Sequence, residues 1–117
     1  MRRAGGGGGL VALLAALSGA AGVIAGAMGA HGFTGKPAEW LRTGAEYQLV
    51  HAVAALVAAQ MGARLAAWSF VAGGALFAGT LYAMALGMPH WLGAVTPIGG
   101  VGLILGWLVL AVRVMRR

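Results

Sequence analysis

The chain has 117 residues, of which 61% are hydrophobic and only 9% are charged, and its mean hydropathy is +0.89. A water-soluble domain carries about 25% charged residues, so this composition excludes a soluble globular protein. It also excludes a disordered chain, which would need low hydrophobicity. The chain contains no cysteine, which excludes a disulfide framework and a thiolate metal site. The composition therefore predicts a single all-α integral membrane domain over residues 1–117.

Four apolar stretches are long enough to cross a hydrocarbon core about 30 Å thick, which requires roughly 20 helical residues. They cover about residues 10–30, 44–62, 65–88 and 97–113. An amphipathic stretch that begins after Pro37 precedes the second span, and we expect it at the membrane interface. Because short links join the four stretches, the sequence predicts an up-down-up-down bundle of four transmembrane helices.

The positions of lysine and arginine predict how the chain is oriented in the membrane. Six of the eight basic residues fall at the two ends and in the link after the second span: Arg2, Arg3, Arg64, Arg113, Arg116 and Arg117. Lys36 and Arg42 lie on the opposite side. A basic excess marks the cytoplasmic side, so we expect a multi-pass protein of the inner (plasma) membrane with both termini in the cytoplasm. Topology alone accounts for these charges, so we expect contacts with membrane lipids and none with nucleic acid.

Small residues recur at four-residue spacing in every predicted span. The glycines of these rows that we expect at helix contacts are Gly22, Gly26, Gly79, Gly102 and Gly106. Helices in lipid gain little from the hydrophobic effect, so close approach at small residues drives their association. The rows therefore predict close packing within the bundle, and the alternative is homodimerisation through the same rows.

Polar side chains within a transmembrane helix are costly and need partners. The candidates are Tyr47, Gln48 and His51 in the second span, Tyr82 in the third, and Thr96 at the start of the fourth. Tyr47 and His51 lie one turn apart on one helix face. Since neighbouring helices run antiparallel, we expect His51 and Tyr82 at a similar depth. We interpret the five residues as a polar cluster that fixes how the helices meet. The alternative is a site for a small ligand or a proton that uses neutral His51.

Glu46 is the only acidic residue close to a span, and it follows Arg42 by four residues. A surface ion pair between these two side chains is the simplest interpretation. The functional alternative is a coupling carboxylate like that of small four-helix drug transporters. Those proteins have their essential carboxylate within a span, usually in the first helix. The histidines show no paired ligand spacing, so we predict no metal site. No serine has a base at a suitable spacing, so we predict no catalytic residue.

Several short motifs follow one another along the chain. They are Gly29-Ala30-His31-Gly32, Tyr47-Gln48 with His51-Ala52, Gly79-Thr80-Leu81-Tyr82 with Ala85-Leu86, and Thr96-Pro97-Ile98-Gly99-Gly100 ending in Gly106-Trp107. Their order and spacing resemble the YgdD-like small membrane proteins, the family called domain of unknown function 423. The resemblance covers about residues 18–110. It implies a four-helix inner-membrane protein, and it brings no activity, ligand or catalytic residue with it.

These observations favour a non-enzymatic protein without a cofactor, acting as a small scaffold, an accessory protein or a lipid-associated protein. Its expected partners are membrane lipids together with a second copy of the chain or another membrane protein. The alternative class is a small transporter, or a conduit for protons or a ligand, built around His51, Tyr47 and Gln48. A conduit needs a water-accessible crevice that reaches His51, whereas a scaffold keeps its core dry.

Overall fold

A computed structural model describes the backbone of residues 6–117 and the side-chain surroundings from residue 9 onward. This part of the chain is helical: α1 (Gly6–His31), α2 (Gly35–Gln60), α3 (Arg64–Ala85) and α4 (Thr96–Met115), with a short 3₁₀ segment at His90–Ala94. The all-α prediction is therefore confirmed, and consecutive helices run antiparallel. The predicted cytoplasmic residues Arg2 and Arg3 lie outside the described residues.

The ends of α2 and α3 are set by glycines with positive φ. Gly62 (φ +76°) follows α2 and Gly87 (φ +105°) follows α3, a conformation that glycine adopts without steric penalty. After α3, the Met88 N–H donates to the Ala83 carbonyl, a Schellman-type bond that satisfies one of the last helical carbonyls. The third helix therefore ends at Ala85, before the predicted limit at residue 88.

Within the described residues, three segments are long and apolar enough to cross a membrane, and they are Gly9–His31, Arg64–Ala85 and His90–Met115. They correspond to the first, third and fourth predicted spans. The α2 helix is not in this set, because charged side chains in its first half and the polar Gln48 and His51 in its middle lower its hydropathy. Length and composition therefore identify three candidate spans. Whether α2 also crosses the membrane has to be argued from the surroundings of its side chains.

The helices pack mainly against their neighbours in sequence. The α2 helix lies between α1 and α3, and α4 packs on α3, which also touches α1. Among the described residues, α1 makes no comparable contact with α4. The Cα positions extend over 45 × 31 × 18 Å, so the cross-section is elongated rather than square. This arrangement leaves α2 and α4 facing each other across a groove.

Two apolar clusters fill the contacts between the helices. The larger one lies towards the chain termini and consists mostly of alanines around the fully buried Phe70. The smaller one lies at the other end and includes Leu41 and Ala45 of α2. Alanine allows close approach of helices because its side chain is small and loses no rotamer freedom. In α2, the polar Gln48 and His51 lie between the residues of the smaller cluster and those of the larger cluster.

Candidate functional site

Gln48 is buried at the centre of a hydrogen-bond chain that joins three helices. Its Nε2 donates to the Ser18 Oγ of α1 at 3.0 Å, and its Oε1 accepts from the Tyr82 hydroxyl of α3 at 2.7 Å. Gly44, one turn earlier on α2, leaves room for the Tyr82 ring, since a Cβ at Gly44 would lie 2.6 Å from Tyr82 Cε1. One amide side chain therefore holds α1, α2 and α3 in a fixed relation.

His51 is 7% exposed and connects α2 to α4. Its Nδ1 lies 2.7 Å from the Tyr47 carbonyl oxygen, and Trp107 Nε1 donates to its Nε2 at 3.0 Å. A carbonyl oxygen only accepts and an indole N–H only donates, so both bonds form together only when the imidazole is neutral and carries its proton on Nδ1. The Phe70 and Trp107 rings lie 5.6 and 5.8 Å from the imidazole, centroid to centroid. A second proton on His51 would break the bond to Trp107.

The surroundings of His51 bear on the alternative interpretation, a conduit for protons or a ligand. An open depression of about 150 Å³ is lined by Glu46, Tyr47, Val50 and His51. The depression reaches the imidazole, but both ring nitrogens are already engaged within the protein. The geometry therefore favours a structural role for His51 over proton transfer.

The five predicted cluster residues do not form one cluster. A Cβ at Gly74 of α3 would lie 4.0 Å from the His51 Cβ, whereas Tyr82 lies opposite Gly44. Gly74 and Tyr82 are eight residues apart, which corresponds to about 12 Å along a helix. The prediction that His51 and Tyr82 lie at a similar depth is therefore wrong, because the register of α2 against α3 pairs Tyr82 with Gln48 instead.

Thr96 also has separate surroundings, whereas Tyr47 stays beside His51, with the two rings stacked 6.2 Å apart, centroid to centroid. The Thr96 hydroxyl bonds to the Thr80 hydroxyl, and this pair joins the start of α4 to α3. The Thr80 hydroxyl can also donate to the Leu76 carbonyl in its own helix. Tyr47 contributes its carbonyl to His51, while its ring is 46% exposed and packs 4.7 Å from the Phe77 ring. Each predicted polar residue thus has a local role at a helix contact.

Four of the five predicted packing glycines lie at helix contacts. A Cβ at Gly22 would lie 2.8 Å from a leucine side chain of α2, and one at Gly106 would lie 2.7 Å from the Phe70 ring. A Cβ at Gly102 would lie 3.3 Å from the backbone of α3, and one at Gly26 would make an ordinary 3.5 Å contact with an alanine. Gly22 and Gly106 therefore have the least space for a side chain.

Gly79 is the exception among these glycines. A Cβ there would meet nothing within 4 Å, because α3 turns this face away from the bundle. The closest helix crossing instead involves Gly73 and Gly99. A Cβ at Gly73 would lie 2.9 Å from the Leu103 backbone nitrogen, and one at Gly99 would lie 2.8 Å from the Gly73 carbonyl oxygen and against the Phe77 backbone. Sequence reasoning missed both residues, although each is the first of a glycine pair.

Sequence reasoning also missed three partners of the polar residues. Ser18 bonds Gln48, Thr80 bonds Thr96 and Trp107 bonds His51. Hydroxyl side chains in an apolar span indicate a need for a partner, so the sequence contains a signal for the first two. A tryptophan is more typical of an interface anchor, and the sequence contains no comparable signal for Trp107.

The outer connections contain one weak ion pair and one aromatic contact. Lys36 Nζ lies 4.0 Å from Glu39 Oε1, with both side chains strongly exposed, so the pair adds little stability. The expected pair between Glu46 and Arg42 is not found among the described residues. The Trp40 and His90 rings meet at 5.3 Å, which brings the 3₁₀ segment against the start of α2. Residues 9–117 contain no group of three or more potential metal ligands.

The protonation state of His51 can be checked directly. We expect ¹⁵N nuclear magnetic resonance of histidine-labelled protein in lipid to show a protonated Nδ1 and an unprotonated Nε2 for this residue, because Trp107 donates to Nε2. Trp107→Phe removes that donor and should shift the Nε2 resonance of His51, while the resonances of the exposed His31 and His90 stay unchanged. A spectrum with the proton on Nε2 in the parent protein would contradict the assignment.

Comparison with known proteins places these features in a family. The family described as "Protein of unknown function (DUF423)" matches residues 25–100. The "UPF0382 membrane protein YwdK" of Bacillus subtilis is 35% identical over 116 residues, covering 89% of this chain and 94% of the relative. A "UPF0382 membrane protein" of Haemophilus influenzae is 40% identical over 108 residues, covering 84% of this chain and 87% of the relative.

A relative from Escherichia coli carries the same family name. The "UPF0382 inner membrane protein YgdD" is 36% identical over 115 residues, covering 89% of this chain and 88% of the relative. No solved structure matches the chain. The apolar helices and the similarity over most of the chain agree with the resemblance seen in the motifs, and the chain therefore belongs to the DUF423 family of UPF0382 membrane proteins.

Proposed function

We propose that this protein is a non-enzymatic scaffold or accessory protein of the membrane. The observation that supports this role is that the separate polar contacts of the bundle are all satisfied within the protein. Within the described part of the chain, every buried side-chain nitrogen or oxygen has a hydrogen-bond partner. A catalytic or transport site presents polar groups to a substrate, whereas a fully satisfied network fixes the relative positions of helices. The bundle accordingly provides a rigid surface for other membrane components.

The scaffold has four spans in this proposal, with α2 crossing the membrane between α1 and α3. The polar side chains that lower its hydropathy, Gln48 and His51, are buried and hydrogen-bonded to other helices. In the same half of α2 the exposed side chains before the terminal Gln60 are apolar, and Val50, Val53 and Val57 are 56, 60 and 50% exposed. A helix with such a surface is compatible with lipid, because the polar groups inside are satisfied by protein.

Cysteine labelling tests the topology, since the natural chain contains no cysteine. The basic excess near the termini supports an inner-membrane protein with both ends in the cytoplasm. We expect a membrane-impermeant maleimide to label Thr34→Cys and Met88→Cys in intact cells. It should label Gln60→Cys and Met115→Cys only after permeabilisation. All four positions are exposed, so each also serves as a control for reactivity. Equal labelling of residues 34 and 60 in intact cells would show that α2 does not cross.

The outward face of α3 is the surface that we propose for a protein partner, either a second copy of this chain or another membrane protein. Ala75 and Gly79 are exposed there, one turn apart, and Leu76 beside them is 38% exposed. Small residues at this spacing allow the backbone of another helix to approach closely. The packing row that the sequence indicates in α3 is thus available to a partner rather than used within the bundle.

Photo-crosslinking in native membranes tests the scaffold role. A photoreactive amino acid at position 76 should give a reproducible crosslink that mass spectrometry identifies as one partner. Gly79→Leu fills the outward face and should abolish the crosslink by blocking close approach. Ala20→Leu, a similar enlargement on the exposed face of α1, should leave it intact. If the parent protein yields monomer alone, with no crosslinked product, the scaffold role is contradicted.

A further inference from the structure

The half of the molecule nearer the chain termini contains an apolar groove between α2 and α4. This α2–α4 groove has a volume of about 310 Å³ and is lined by Val50, Val53, Ala54, Val57, Trp107 and Leu110. The valines are half-exposed or more, and the Trp107 ring is 45% exposed. The only polar atom that these side chains bring, the indole nitrogen, is already bonded to His51. An occupant of the groove therefore meets an apolar surface.

Hydrogen bonds between α2 and α4 limit the groove at both ends. Trp107 donates to His51 at one end, and Arg113 Nη2 donates to the Met61 carbonyl oxygen at 3.2 Å at the other. Arg113 lies three residues after Leu110, so its guanidinium follows directly on the apolar lining. Since side chains bridge the two helices at both ends, the gap is too narrow for a helix of about 10 Å diameter. A single acyl chain is a narrower occupant that matches the apolar lining.

The end of the groove at Arg113 carries positive charge without an acidic neighbour. Arg113, Arg116 and Arg117 are all exposed there. The only acidic residues of the whole chain, Glu39 and Glu46, belong to the first half of α2, towards the other side. A guanidinium has five N–H donors, and Arg113 uses one of its nitrogens for Met61, which leaves donors for an anion. An anion from outside the chain can therefore bind here, and lipid phosphate is the anion that a membrane surface supplies.

We propose that the α2–α4 groove binds one anionic phospholipid from the leaflet on the side of the chain termini. One acyl chain lies between α2 and α4, and the phosphate accepts hydrogen bonds from Arg113, with Arg116 and Arg117 adding attraction. A zwitterionic lipid offers the same acyl chain, but its amine reduces the attraction to the arginines. The site goes beyond the scaffold role and requires only that α2 and α4 cross the same bilayer.

Tryptophan fluorescence tests the site, because Trp107 lies in the groove wall. Trp40, Trp68 and Trp91 are replaced with Phe, and the protein is placed in vesicles that contain phosphatidylcholine and phosphatidylglycerol. In one preparation the phosphatidylglycerol carries dibrominated acyl chains. In the other preparation an equal mole fraction of the phosphatidylcholine carries them. Brominated phosphatidylglycerol should quench Trp107 more strongly at equal mole fraction. Arg113→Gln should lower the affinity of the groove for phosphatidylglycerol, relative to phosphatidylcholine, roughly fivefold. Arg42→Gln, on the opposite side, should leave this ratio unchanged.

Native mass spectrometry of the chain with all four tryptophans provides a second measurement. We expect one phosphatidylglycerol to remain bound to the parent protein and to Arg42→Gln, and to be lost from Arg113→Gln. Equal quenching by both brominated lipids would overturn the proposal, as would unchanged selectivity in Arg113→Gln. Weak quenching by both lipids together with a dimer in the mass spectrum would assign the groove to a second copy instead. These outcomes do not depend on the crosslinks from α3, so the lipid site and the scaffold role can fail separately.

Discussion

Replacing Gly73 with alanine is expected to destabilise the folded bundle by about 1–3 kcal/mol, the range typical of overpacked contacts. A Cβ at this position would lie 2.9 Å from the Leu103 backbone nitrogen and 3.0 Å from the Gly99 carbonyl oxygen. Backbone atoms cannot rotate away as a side chain can, so α4 has to move as a unit. Reversible unfolding in mixed micelles, followed by far-ultraviolet circular dichroism, measures the change in the free energy of unfolding.

Gly79→Ala is the matched control for this substitution. The two glycines belong to the same helix, and a Cβ at Gly79 meets nothing within 4 Å. The substitution there should be neutral or should stabilise the helix by up to about 1 kcal/mol, because alanine restricts the unfolded backbone more than glycine does. The two substitutions are thus expected to have opposite signs or clearly different sizes. Equal effects would show that α4 does not cross α3 at Gly73.

The second large effect is expected at Gln48, where one substitution removes two hydrogen bonds between helices. Gln48→Met keeps a similar side-chain size but leaves the Ser18 and Tyr82 hydroxyls without their partner. The cost of unpaired buried groups is about 1–3 kcal/mol, and hydrogen bonds in membrane bundles average about 0.6 kcal/mol. We therefore expect a loss of about 2 kcal/mol in the same unfolding measurement. Gln60→Met, at the exposed end of α2, should change the stability very little.

A double-mutant cycle separates the Tyr82 bond from general damage to packing. In the parent protein, Tyr82→Phe removes the hydroxyl that donates to Gln48 and should lower the stability. In the Gln48→Met background the same substitution removes a hydroxyl that has already lost its partner, so it should have little effect or restore some stability. Additive effects of the two substitutions would contradict a direct bond between the two side chains.

The sequence predicts much of this fold, because hydropathy and the positions of glycine and proline are local properties. The four predicted stretches correspond to the four helices, although α3 ends at Ala85 rather than at residue 88. Gln48, His51 and Thr96, which were expected to need partners, are all buried. Burial was predictable in these cases because an unpaired polar group is costly in lipid wherever it lies along a span.

The pairing of the polar residues was not predictable from the sequence. It depends on the rotation and axial register of each helix, which the spacing of small residues does not determine. Gly79 and Gly106 both belong to rows with four-residue spacing, yet only Gly106 lies against another helix. In the same way, the spacing places Tyr47 and His51 on one helix face but does not identify Trp107 as the partner of His51.

The order in which the helices pack has a consequence for biogenesis. Each helix finds its main partner immediately before or after it in the chain, so every newly synthesised helix meets a neighbour that has already formed. Assembly can then proceed during synthesis, without waiting for a distant part of the polypeptide. The last helix arrives at an edge that α3 has already formed, and it becomes fixed when Trp107 reaches His51 and Arg113 reaches the end of α2.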